Sequence, residues 1–314
     1  MKGLEVKNLT KKYGEKTVVD DLSFSIEEPG VYALLGTNGA GKTTSIRMIL
    51  GMLVKDGGEV LWNGKTFDAS EMNVGYLAEE RGLYPKYSLL DQLVYFASLK
   101  KVPKKEAMER IKYWAERLQV EEYIFPPKNA KGKTVKANRA DQLSKGNQQK
   151  IQLMAALLSD PEFLILDEPL SGLDPVNTDL FKDIIREEIG KEKYLIMSSH
   201  QMPTIEEFCS DITIMNRGKA LLQGNLNEIK KSYGRVNLFV KSDSEIAPYI
   251  QEMGLQIVDK TPNAYQLRVE NEGQARQLLT RMIQDQVPLV RFELREPSLH
   301  EIFVEKVGSA NEER

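Results

Sequence analysis

The stretch GVYALLGTNGAGKTTSIRMIL, residues 30–50, passes from an apolar run through a glycine-rich turn into an amphipathic segment. Within it, residues 36–43 match G-x-x-x-x-G-K-[ST] in full, and the flanks read as a buried strand and a helix, the setting that a phosphate-binding loop requires. Gly36, Thr37, Asn38, Gly39, Ala40, Gly41, Lys42, Thr43 and Thr44 are therefore assigned to a nucleotide. Glycines suit the loop because its backbone amides must turn inward around phosphates, where side chains would block the approach. Lys42 reaches the terminal phosphates, Thr43 offers a hydroxyl oxygen to magnesium, and the start of a helix, placed at Thr43 to Leu53, adds partial positive charge.

FLILDEP, residues 163–169, supplies a second half. Adjacent carboxylates at the end of a buried strand are costly unless bound to an ion or hydrogen-bonded. Asp167 is expected to hold magnesium through water, and Glu168 to orient or deprotonate the attacking water. The strand YLIMSSH ends in His200, one of two histidines, placed to bond the terminal phosphate beside Glu168. His300, on an amphipathic helix, reads as surface or packing.

Around these motifs, alternating segments at residues 4–26 predict antiparallel strands, and apolar residues at helical spacing from Ser88 to Tyr123 predict a helical region. PPKNAKGKTVKANRA, residues 126–140, reads as a solvated basic connector. Beyond about residue 225 the pattern changes to βαββαβ, which predicts a small ferredoxin-like domain. The chain is thus divided into a nucleotide domain over 1–225 with a helical subdomain at about 85–160, a linker at 226–235, an accessory domain over 236–308, and a frayed tail at 309–314.

The 314 residues are 41% hydrophobic, enough for two cores, and the net charge of −3 gives no basic field, so nucleic acid is not an expected partner. A single cysteine, Cys209, excludes an internal disulfide and reads as a small buried hydrophobe. No apolar run approaches the roughly 20 residues that span a bilayer, and the N-terminus lacks a signal core, so a cytoplasmic chain is expected, with any membrane role supplied by a partner.

QLSKGNQQK, residues 142–150, followed by LILDEP and LSGLDP, sets the family. In this order the motifs resemble the signature, acidic strand and D-loop of the ATP-binding cassette (ABC) superfamily, over roughly residues 2–225. The resemblance implies an α/β fold: an ABC-type P-loop domain with a mixed sheet core, an antiparallel β subdomain and an α-helical subdomain, plus the ferredoxin-like α+β domain. It further implies that Tyr13 stacks on adenine, and that Glu79 stands where most members carry a glutamine that touches the metal. Ser144, Lys145, Gly146, Asn147, Gln148 and Asp174 then belong to the ATP site, Ser144 and Gly146 contacting the terminal phosphate of a nucleotide held by a second subunit. Departures from the consensus fall at Lys145, Asn147 and Glu79.

YLAEERGLYP and the ending PSLHEIFVEKVG are similar to the sodium-exporter and antibiotic-export branch. That implies an ATPase using ATP and Mg2+ with Lys42, Glu168 and His200 catalytic and Thr43, Glu79 and Asp167 at the metal. It would pair with an identical chain or a homologue, lie peripherally on the inner face of the cell membrane, and drive a separate integral permease. Two other readings stay open: a soluble ABC ATPase not engaged in transport, and a regulatory module that holds ATP without turnover.

Overall fold

The computed structural model describes residues 3–80, 82–127 and 136–312, with residues 311 and 312 described through their backbone only. Alternation near the N-terminus produces β1 (Leu4–Tyr13) and β2 (Lys16–Ile26), an antiparallel pair joined through Gly14 and Glu15. Leu4, Val6 and Leu9 of β1 and Leu22 and Phe24 of β2 point into the core. The fully apolar run becomes β3 (Gly30–Gly36), followed by α1 (Lys42–Ile49). The helix stops four residues before the expected Leu53, because Gly51 takes a left-handed φ of 69° and turns the chain. β4 (Gly57–Trp62) and β5 (Lys65–Thr66) complete a four-stranded antiparallel sheet in the order β2-β1-β4-β5.

β6 (Val74–Leu77) leads into four helices, α2 (Leu89–Leu99), α3 (Lys104–Arg117), α4 (Glu121–Ile124) and α5 (Lys145–Leu157). Ser88 caps α2, its oxygen accepting from the amide of Asp91 at 3.5 Å. Most of the basic connector, residues 128–135, lies outside the described residues. The chain then alternates: β7 (Phe163–Asp167), α6 (Pro175–Ile189), β8 (Tyr194–Ser199), α7 (Met202–Phe208), β9 (Asp211–Asn216) and β10 (Lys219–Asn225). Cys209 follows α7 directly and is buried, which pushes its thiol well above the usual range and leaves it the inert hydrophobe expected.

The second sheet has the order β10-β9-β3-β8-β7-β6, with β9, β3, β8, β7 and β6 paired in parallel. Strands buried on both faces are uniformly apolar. Leu34, Leu35, Ile165, Leu166, Ile196 and Ile214 are all fully buried. The register sets Asp167 opposite Ser198 and Leu35 opposite Ser199, so β3, β7 and β8 end side by side. Ligand crevices in open α/β sheets form at such carboxyl ends.

Residues 1–223 form one compact unit and 224–314 a second. The second contains β11 (Asn237–Ser242), β12 (Gln256–Thr261), β13 (Ala264–Arg268) and β14 (Leu289–Arg295) in the antiparallel order β12-β13-β11-β14. The intervening helices, Ala247–Glu252 and Glu272–Gln284, pack Ile250, Leu278 and Met282 on Leu238, Val240 and Leu267. Edge strand β12 is exposed along its length, including Ile257 and Val258, and its register slips at Val258.

Two expectations are corrected in this unit. The segment taken as a linker holds a helix, Leu226–Tyr233, whose Asn225 cap accepts from the amides of Asn227 and Glu228 at 3.1 and 3.3 Å. Gly234, at φ 70°, ends it. The tail expected to fray from residue 309 instead continues the helix Leu299–Glu312.

In the first unit, α6 is tied to the turn before β7 by an ion cluster centred on the buried Lys193–Glu188 pair. Lys193, 8% exposed, pairs with Glu188 and, at 2.6 Å, with Asp160, while Lys191 bonds the other oxygen of Glu188 at 2.6 Å. Removing one partner of a buried pair strands the other charge, at about 3–5 kcal/mol. Because Lys193 keeps Asp160, we expect Glu188→Ala to cost about 3 kcal/mol in urea unfolding; a loss below about 1 kcal/mol would show that the cluster is not stabilising.

Candidate active site

The loop between β3 and α1 closes around a cavity of about 290 Å³ lined by Val18, Asn38, Gly39, Ala40, Gly41, Lys42, Thr43, Thr44, Glu79 and Glu168. Gly41 takes φ 107°, and a Cβ there would lie 2.8 Å from the Val18 carbonyl oxygen, so no other residue fits between β2 and the loop. Gly41 also starts α1 with no side-chain cap and no acid in the first turn, which leaves the helix amides and their dipole for an anion. The loop is braced from the β9–β10 turn, where the Gly218 amide donates to the Ala40 carbonyl at 2.9 Å.

Lys42 is 7% exposed. Its ammonium donates to the Gly36 carbonyl at 2.8 Å and to that of Thr37 at 3.5 Å, and stands 3.7 Å from Glu168 Oε1. The other Glu168 oxygen, Oε2, is 2.8 Å from His200 Nδ1. One carboxylate therefore joins the loop cation to the histidine after β8. Glu168 takes a left-handed φ of 51°, which turns its side chain away from the direction the strand would give it. Its amide is held by Ser198, donating to the hydroxyl at 3.0 Å.

Asp167 is fully buried. Ser198 donates to its Oδ1, while its Oδ2 has no hydrogen-bond partner among the described residues. Thr43 donates to Glu79 Oε2 at 3.4 Å across the same cavity. Thr43 and Glu79 line the cavity and Asp167 does not; the Thr43 hydroxyl, the Glu79 carboxylate and the orphaned Asp167 oxygen are nonetheless hard oxygens of the kind that suit magnesium, which takes one or two carboxylates together with substrate phosphates. Among the described residues no group of three or more His, Cys, Asp or Glu could hold a metal by itself.

The remaining assigned residues lie elsewhere. None of Ser144, Lys145, Gly146, Asn147 and Gln148 lines this cavity. Ser144 caps α5, its oxygen accepting from the Asn147 amide at 3.2 Å, and the Ser144 and Lys145 side chains are exposed. Gln148 is turned inward, its amide donating to the Ala140 and Leu143 carbonyls at 3.0 Å each, so its side chain secures the turn before α5. Asp174 caps α6 by accepting from the Asn177 amide at 3.0 Å, a bond that holds its carboxyl below the usual range. Tyr13 is 54% exposed at the end of β1, with the Lys11 ammonium 5.4 Å from its ring centre. Sequence reasoning passed over Val18, Ser198 and Gly218. Only Ser198 carried a signal, its place one residue from the end of a strand beside that of Asp167.

Comparison with known proteins places this geometry. The chain is 41% identical over 310 residues, 98% of its length and all of the other's, to the ABC transporter ATP-binding protein YhaQ of Bacillus subtilis, itself of uncharacterised role. The chain belongs to the ABC transporter ATP-binding proteins. Residues 19–171 match the ABC transporter family, and residues 224–307 the C-terminal domain of DrrA1-3-like ATP-binding proteins. The Nod factor export ATP-binding protein I of Ralstonia nicotianae is 31% identical over 72% of this chain and 68% of its own. A solved ATP-binding subunit of an ABC transporter superposes with a TM-score of 0.65 at 26% identity, over 74% of this chain and 93% of that one. The protein is thus an ABC ATP-binding subunit and an ATPase of the kind that works with membrane components. Among the described residues no helix is long and apolar enough to cross a membrane.

In this ABC subunit Ser198 serves both acids, bonding the Asp167 carboxylate and receiving the Glu168 amide. A buried hydrogen bond to a charged group contributes about 1.5–3 kcal/mol. Ser198→Ala is expected to lower unfolding stability by about 2 kcal/mol; a change within about 0.5 kcal/mol would show that Asp167 does not depend on it.

Proposed function

We propose that this chain is the ATP-hydrolysing subunit of an export system, peripheral on the inner face of the cell membrane, and that it acts as a dimer with an identical chain or a homologue. The observation that carries the reading is Glu168, whose two oxygens face Lys42 and His200 at the edge of the phosphate cavity. A water at the terminal phosphate of ATP would give its proton to Glu168, His200 would hold that carboxylate in orientation, and Lys42 would follow the charge developing on the phosphates. Thr43, Glu79 and Asp167 would hold magnesium, which when bound neutralises charge on the β- and γ-phosphates.

The dimer reading rests on the signature. Ser144, Lys145, Gly146 and Asn147 begin α5 with no acid in its first turn, a suitable anion-facing surface, yet they do not line their own chain's cavity. A second copy would bring these residues to the terminal phosphate. The export reading draws on relatives: besides the Nod factor export protein, the bacitracin transport ATP-binding protein BcrA of Bacillus licheniformis is 28% identical over 97% of both chains. Closure of two such subunits on ATP would move the permease, and hydrolysis would reset it.

The test is Glu168→Gln. Loss of a general base lowers turnover by about 10²–10⁴, so the variant should bind ATP with Mg2+, hydrolyse it at least about 100-fold more slowly, and sediment as a dimer only with ATP. Turnover at the unaltered rate would remove Glu168 from the role of base. A variant that stays monomeric with ATP, together with a native rate per chain independent of concentration, would overturn the dimer.

A further inference from the structure

Among the described residues, three buried side-chain polar atoms lack a hydrogen-bond partner: Asp167 Oδ2, Tyr76 Oη and, in the second unit, Tyr233 Oη. Such groups are rare in folded proteins, and each asks for an explanation. The first two share one place. β6 and β7 run parallel with Tyr76 opposite Ile165, so side-chain alternation puts Tyr76, Ile165 and Asp167 on the same face, Asp167 two positions beyond the tyrosine's partner. That face packs on the core that includes Phe163 and Ile165.

The two atoms are chemically complementary. An ionised carboxylate oxygen only accepts, whereas a phenol donates. The surroundings agree: burial first, and then the charge of Asp167, push the Tyr76 phenol above its usual range, while the nearby Arg47 opposes the shift. Arg47 lies one helical turn beyond Thr43 and stands 3.6 Å from Glu80. Tyr76 also precedes by three residues Glu79, which accepts the Thr43 hydroxyl. The phenol thus sits among Asp167, the Glu79 segment and α1; the Arg47 guanidinium beside it can only donate to the phenol oxygen, so the phenol proton is left without an acceptor among the described residues.

We propose that Tyr76 is a positioning residue of the metal site, its hydroxyl donating through one ordered water to Asp167 Oδ2 and so fixing the carboxylate that Ser198 holds at Oδ1. This rests on the reading that Asp167 serves magnesium. A water bridge accounts for both orphaned atoms with one molecule, and it aims the Asp167 carboxylate from the β6 side while Ser198 aims it from β8. Partners that orient metal-holding groups typically change metal affinity about 10–100-fold when lost.

Tyr76→Phe keeps the ring and deletes the donor. The measurement is equilibrium binding of a fluorescent, non-hydrolysable ATP analogue to the full chain across a Mg2+ titration, alongside binding in chelator. We expect the Mg2+ concentration for half-maximal enhancement to rise about tenfold, with chelator binding and the melting temperature of the nucleotide-free chain unchanged. An unaltered Mg2+ dependence would overturn the proposal, as would equal weakening with and without Mg2+, which marks a packing role. Binding of Mn2+ to the analogue-loaded chain, followed by electron paramagnetic resonance for Tyr76→Phe and for Tyr76→Met, gives a second reading: weakening in both supports the hydroxyl, and native affinity in either overturns it. Should the native chain bind the analogue without regard to Mg2+, the metal reading itself falls, separately from any effect at Tyr76.

Discussion

Asp167 and Glu168 emerge as neighbouring carboxylates from a strand that is otherwise entirely apolar and buried, and they remain buried themselves. Two charges in that setting are tolerated only where donors and cations converge on them. The parallel sheet brings this about. β8 beside β7 supplies Ser198, and the next residue but one supplies His200; β3 on the far side of β8 ends in the loop that carries Lys42. The compensating groups come from the ends of two neighbouring strands, β8 and β3, so the acids hold the site only when the central strands are paired in register. The fold and the chemistry are specified by the same hydrogen-bond ladder.

Much of this was legible beforehand because the decisive features are local. The glycine spacing of residues 36–43, the apolar run before Asp167 and the βαββαβ alternation near the C-terminus each depend on residues adjacent in the chain. What escaped was non-local or small. Ser198 matters through its pairing with Asp167, 31 residues away, and a serine in an apolar run does not announce its partner. Gly218 braces Ala40 from a turn nearly 180 residues downstream. Gln148 stood inside a recognised motif and was assigned to the nucleotide, while the bonds of its amide to the backbone of the preceding turn went unread. The helix at Leu226–Tyr233 was passed over because eight polar-rich residues resemble a linker. Its Asn225 cap, Glu228 in the first turn and Gly234 beyond the end were the available signals.

The second unit shows how a sheet edge is kept from unwanted pairing. β12 exposes its whole length, with Ile257 and Val258 among the exposed side chains, a surface that could template another strand. The irregular register at Val258 and the charged Asp259 and Lys260 that follow break the regular ladder at that point. Bulges and charges are the usual means by which an open edge is blunted.

The left-handed backbone at Glu168 carries a consequence for sequence variation. Conformations of this kind cost non-glycine residues on the order of 1–3 kcal/mol and persist where the surroundings over-determine them. Position 168 therefore encodes two independent quantities, a charge and a torsion. Asparagine, aspartate and glycine relax the torsion while changing reach or charge, and β-branched residues raise its cost. Among variants at this site, loss of function separates into chemical and conformational classes only when glutamine, which alters charge at constant shape, is set beside glycine, which removes the side chain and the strain together.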